Sequence, residues 1–125
     1  MKSVVISGST KFIKEMYEWV KVLQENKVQV YFPRDPQFKR LQEGDLEYAV
    51  AGATYGYFQK IRKADVVLLF NVGGYAGIST TLELGYATAY AKPIVSIEAE
   101  PDYARKVLIE EQVKTPQELI EYLRK

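Results

Sequence analysis

Val66-Val67-Leu68-Leu69-Phe70-Asn71-Val72-Gly73-Gly74-Tyr75-Ala76-Gly77-Ile78-Ser79-Thr80-Thr81-Leu82-Glu83-Leu84-Gly85 carries three patterns in a row. Val66 to Phe70 is apolar without alternation, as in a parallel strand covered on both faces. The glycine-bearing loop behind it opens a helix expected from about Ser79 to Ala91, with Glu83 on its first turn. In a parallel α/β sheet such a junction offers backbone N–H groups to an anionic or sugar-bearing ligand at a strand's carboxyl end. A carboxylate there can also do chemistry.

The flanking sequence repeats the strand–helix alternation. Val4-Val5-Ile6 predicts a first strand ending in Ser7-Gly8-Ser9-Thr10, followed by a helix with Ile13, Met16, Val20 and Leu23 on one face. Asn26 is expected as its left-handed stop. Val28 to Phe32 predicts a second strand closed by Pro33 and Pro36, and residues 33–44 a polar loop. A helix is expected from Asp45 to about Lys63, with Leu46, Val50, Tyr57 and Ile61 on one side. Lys92-Pro93 ends the helix that carries Glu83, and Ile94 to Ile97 forms a strand. The segment from Glu100-Pro101 to Leu108 fits helix or strand. Thr115, Pro116 and Glu118 form a capping box for a last helix, whose core face is Leu119, Ile120 and Leu123. The expectation is α/β: a single three-layer flavodoxin- or Rossmann-like domain over residues 1–125, with a mainly parallel sheet of about five strands.

Composition narrows the chemistry. A chain of 125 residues suits one domain, and a formal charge of +1 gives no electrostatic case for nucleic acid. No apolar stretch is long enough to span a bilayer, and the apolar run at Val4 is too short for a signal peptide, so a cytoplasmic location is expected. Without Cys there are no thiolate nucleophiles or Cys-based zinc sites; without His there is no imidazole base and no His-ligated metal. Neither a metal nor a cofactor is expected, and acid–base work falls to Asp, Glu, Lys or Tyr.

Three loops converge beyond the strands' carboxyl ends: Ser7-Gly8-Ser9-Thr10, the loop around Arg34-Asp35, and Asn71 to Thr80. Ser7, Gly8 and Ser9 can offer hydroxyl and amide donors, or form a tight turn with Ser9 or Thr10 as N-cap. Gly73, Gly74 and Gly77 can let backbone approach a ligand, or simply make turns. Asn71, Ser79 and Thr80 join them as candidate ligand contacts. Thr80-x-x-Glu83 is itself a capping-box spacing, so Glu83 fits either a cap or a catalytic carboxylate. Tyr48, Tyr55, Tyr57, Tyr75, Tyr86 and Tyr90 could build core, an oligomer interface or a stacking surface. Lys60, Arg62 and Lys63 read as a solvated helix end complementing the dipole.

The run Ala64-Asp65 through Phe70, the glycine-bearing loop, Thr80-x-x-Glu83-Leu84-Gly85-Tyr86-Ala87 and Lys92-Pro93-Ile94 resembles the nucleoside 2-deoxyribosyltransferase-like superfamily over roughly residues 57–97. The Ser7-Gly8-Ser9 turn fits it as well. The loop is also similar to that of phosphoribohydrolases that release cytokinin bases. The resemblance implies a Rossmann-like homo-oligomer that cleaves the N-glycosidic bond of a nucleoside or nucleoside 5′-phosphate, by hydrolysis or deoxyribosyl transfer. It aligns Glu83 with the family's nucleophile, while Ser79, Thr80 and the amides of Gly73 to Gly77 would hold the sugar or a 5′-phosphate. The family's pattern differs at Val5, Tyr57 and Gly77, leaving Asp35, Asp45 and Tyr57 as candidates for the acid that protonates the base. Two other readings stay open: a non-catalytic nucleotide- or nucleoside-binding module, and an oligomeric protein whose glycine loop is only a turn.

Overall fold

A computed structural model describes residues 1–34 and 42–125 of the chain. Among these described residues five parallel strands form one sheet: β1 (Val4–Ser7), β2 (Val30–Tyr31), β3 (Val66–Leu69), β4 (Ile94–Ser96) and β5 (Glu111–Gln112), in the order β2-β1-β3-β4-β5. Helices α1 (Ile13–Glu25), α2 (Glu43–Lys63), α3 (Ile78–Ala89), α4 (Tyr103–Lys106) and α5 (Pro116–Leu123) connect and close it. Residues 4–7 of β1 pair in register with residues 66–69 of β3, which sets Ser7 beside Leu69.

Alternation along the strands splits the core between two faces. Val4, Ile6, Val66, Leu68 and Phe70 pack with Met16, Val20 and Leu23 of α1 and Leu119 and Leu123 of α5. Val5, Val67, Leu69 and Ile94 pack with Ile61 of α2 and Leu84 and Ala87 of α3. The result is the three-layer arrangement that strand–helix alternation predicts. No described helix is long and apolar enough to cross a membrane.

Several boundaries differ from the sequence pattern. At the end of α1 the left-handed residue is Lys27 (φ 62), not Asn26. Asn26 stays at φ −95 and its Nδ2 donates to the Val22 carbonyl (2.8 Å), while the amides of Lys27 and Val28 donate to the Gln24 (2.9 Å) and Leu23 (3.0 Å) carbonyls and close the helix. β2 is shorter than Val28–Phe32. Of the four residues expected on the inner face of α2, only Ile61 is buried, because only the end of this helix packs on the sheet. Tyr48 and Tyr55 are 83% and 68% exposed. The segment after Pro101 forms a single helical turn, α4, because the Asp102 side chain accepts from the amides of Ala104 and Arg105. In α5, Thr115 Oγ1 accepts from the Glu118 amide (3.1 Å), while the Glu118 carboxylate accepts from Lys114 N (2.6 Å). Asp35 and Pro36 lie outside the described residues.

Candidate active site

The chain leaves β1 towards β2 on one side and returns through β3 to the other. That reversal parts the loops beyond the carboxyl ends of β1 and β3, where open α/β sheets bind their ligands. A cleft of about 790 Å³ lies there. Its walls are Gly8, Ser9 and Thr10 after β1, Tyr75 to Leu82 at the start of α3, Tyr57 of α2, Arg105 of α4, and Glu83. A second lobe of about 460 Å³, lined by α2 and by Pro33 and Arg34, shares Thr10, Pro33, Tyr57, Ser79 and Glu83 with the first.

Gly8 brings β1 and β3 close enough to shape this corner. A Cβ there would meet the Phe70 carbonyl oxygen at 2.8 Å and Met16 Cε at 2.9 Å. Ser9 Oγ accepts from Lys11 N (3.3 Å) and caps the short 3-10 turn, Thr10–Phe12, that precedes α1.

Helix α3 begins at Ile78 with Gly77 as its N-cap, earlier than the sequence suggests. Ser79 and Thr80 are therefore inside the helix, and Glu83 lies on the second turn instead of the first. Glu83 makes no capping box with Thr80. Its Oε1 accepts from Ser7 Oγ at 2.5 Å, across the β1–β3 corner. Gly77 has no side chain to cap α3, so the helix N-terminus meets the cleft without a side-chain cap.

Burial pushes the Glu83 carboxyl up from 4.5 to about 7, and the Ser7 hydrogen bond offsets part of that rise. Tyr57 stands in both lobes, and its hydroxyl donates to the Ile6 carbonyl. Burial, and then the Glu83 charge, hold its phenol well above the ordinary range. Among the described residues lining the two lobes, Glu83 is the only carboxylate.

The structure gathers Gly8, Ser9, Gly77, Ser79, Thr80 and Glu83 around the cleft. Ser7 is fully buried and reaches the site only through Glu83. Asn71, Gly73 and Gly74 are not in the lining. Asn71 is buried and clamps the backbone of Glu98, with Nδ2 donating to its carbonyl (3.1 Å) and Oδ1 accepting from its amide (3.1 Å). The Gly73 amide donates to the Glu98 carboxylate at 2.5 Å. Gly73 and Gly74 have φ of 64 and 80, so this glycine pair makes the left-handed turn that docks the loop on the segment after β4. Asp45 lies on the first turn of α2 and lines neither lobe.

Sequence reasoning missed Arg105. Its Nη2 pairs with Glu100 Oε2 at 3.1 Å and its Nη1 donates to Thr81 Oγ1 at 3.2 Å, tying α4 to α3 at the cleft wall. An acid ahead of a proline and an arginine on a one-turn helix carry no periodic signal. Lys60 was also legible only as surface charge, yet it lines the second lobe together with Arg34, whose loop was expected beyond the strand ends.

No protein family matches the sequence, and no curated protein matches it. Solved structures do. A 2-deoxyribosyltransferase from the psychrotolerant bacterium Bacillus psychrosaccharolyticus superposes with a TM-score of 0.68 at 16% identity, covering 94% of this chain and 89% of that one. A conserved protein from Enterococcus faecalis V583 superposes with a TM-score of 0.61 at 11% identity, covering 99% and 98%. At these identities the likeness establishes a shared fold.

Proposed function

We propose that this protein cleaves the N-glycosidic bond of a nucleoside or nucleoside 5′-phosphate, with Glu83 as nucleophile. The observation that carries this reading is the placement of Glu83: a carboxylate in a switch-point cleft, the one carboxylate among its described lining residues, oriented through Oε1 by a buried serine. The named activity of the Bacillus structure supports glycosyl transfer as the class of chemistry. A Glu83 oxygen attacks the anomeric carbon as the base departs, and the carboxylate first stabilises oxocarbenium-like charge and then bonds to it. Water, or a second base, opens the resulting ester. Gly8, Ser9, Gly77 and Ser79, with the uncapped start of α3, hold the sugar or its 5′-phosphate, since unpaired helix amides favour hydroxyl and anionic groups. The exposed Tyr48, Val50 and Tyr55 of α2 support a homo-oligomer.

A second reading is a nucleotide- or nucleoside-binding module without catalysis. It is favoured by the absence of a second carboxylate among the described residues of the cleft lining, where glycosidases ordinarily pair two. The deciding experiment incubates the protein with a panel of ribo- and 2′-deoxyribonucleosides and their 5′-monophosphates and measures free base by chromatography. Release that is abolished by Glu83→Ala, with binding retained, supports cleavage. No release from any panel member, with thermal stabilisation by one of them, supports the binding module.

A further inference from the structure

Breaking an N-glycosidic bond leaves an electron pair on the base nitrogen, and a positioned acid speeds that departure. Among the described residues, the titratable groups lining the two lobes are Arg34, Tyr57, Lys60, Tyr75, Glu83 and Arg105. Glu83 is the nucleophile in the reading above. The Tyr57 proton is already donated to the Ile6 carbonyl. Arg105 is held between Glu100 and Thr81, and neither guanidinium gives up a proton. Tyr75 is 45% exposed, with the Lys11 ammonium 3.3 Å from its ring centroid. Lys60 remains. It is half-buried, stands 5.4 Å from the Tyr57 ring centroid, and shares the second lobe with Glu83. Among the described residues the sole ion pair is Arg105–Glu100, so Lys60 has no carboxylate partner there.

We propose that the leaving base occupies the lobe between α2 and the start of α3, and that Lys60 is its proton donor. This rests on the cleavage reading and extends it to the leaving group. A Glu83 oxygen bonds to the anomeric carbon, the carbon–nitrogen bond breaks with its pair going to nitrogen, and a proton passes from Lys60 Nζ to the base. The neutral Lys60 amine then takes a proton from the incoming water as that water's oxygen bonds to the anomeric carbon and the ester pair returns to Glu83. Both side chains end as they began. Arg34 adds a positive charge that favours the electron-rich departing ring.

The test compares two leaving groups on one sugar: the best nucleoside or nucleotide of the panel, and a 4-nitrophenyl glycoside carrying the same sugar and 5′ group. Nitrophenolate departs without a proton, so only the first substrate needs the acid. Lys60→Met is expected to lower the nucleoside-to-aryl ratio of kcat/KM by about 100-fold or more, within the range for loss of a general acid. Lys60→Arg keeps a cation of similar length that does not release its proton, and is expected to lower the ratio comparably. An unchanged ratio in a folded Lys60→Met protein, or a wild-type ratio in Lys60→Arg, would overturn the assignment while leaving cleavage intact. Wild-type protein that cleaves neither substrate would instead overturn the cleavage reading, and Lys60 as donor with it.

Discussion

Replacing Glu83 by glutamine is expected to stabilise the protein, by an amount that grows as pH rises from 4.5 to about 7. Burial lifts that carboxyl from 4.5 to about 7. Below pH 4.5 the group is protonated in folded and unfolded chains alike and costs nothing. Between 4.5 and about 7 the unfolded chain releases its proton while the folded chain keeps it, so stability falls as pH rises. Above about 7 the folded chain carries a desolvated charge. At about 1.4 kcal/mol per pH unit, the full cost is about 3 kcal/mol. Glu83→Gln removes the charge and keeps a carbonyl oxygen able to accept from Ser7. Urea unfolding should therefore find the variant more stable by about 3 kcal/mol at pH 8, shrinking below about 1 kcal/mol at pH 5. The same carboxyl predicts an acid limb in kcat/KM, with activity rising through about pH 7 as the nucleophile ionises. A variant less stable than wild type at pH 8, or a gap that does not change between pH 5 and pH 8, would show that Glu83 is not desolvated in the folded chain.

Gly8→Ala is expected to cost about 1–3 kcal/mol through overpacking, because the added methyl would press on the carbonyl of Phe70, whose amide is held by the Ser7 carbonyl at 2.7 Å. A wild-type urea midpoint would show that the β1 turn can shift. Arg105→Met leaves Glu100, whose side chain is 1% exposed, without its counter-charge, and is expected to cost about 3–5 kcal/mol. Adding Glu100→Gln should recover much of that loss in a double-variant cycle, and a purely additive result would contradict an ion pair that matters to the fold.

Much of the architecture was legible because the signals are local. Val4 to Ile6, Val66 to Leu69 and Ile94 to Ser96 announce buried strands, and Met16, Val20 and Leu23 mark the inner face of α1. Thr115 and Pro116 mark the start of α5 by capping chemistry that needs no partner elsewhere. β5 escaped notice because Glu111 and Gln112 are an exposed two-residue edge, where nothing selects for apolar alternation. The inner face of α2 was overread because its periodicity continues past the part that touches the sheet. The glycine loop was readable as a loop, but which amides it spends internally depends on Glu98, Glu100 and Pro101 arriving from the next strand.

The chain's own pattern thus sets the α/β class, the strand cores, and the presence of a carboxylate behind a glycine-bearing loop, all properties carried by neighbouring residues. The site depends on contacts between residues far apart. Ser7 and Glu83 are 76 positions apart and meet only because β1 and β3 pair in the register that sets Ser7 beside Leu69. The burial that raises the Glu83 pKa, and the lobe that Lys60 shares with it, come from α2 and α3 lying on the same face of that sheet. Such proximity comes from long-range packing, which no local spacing encodes.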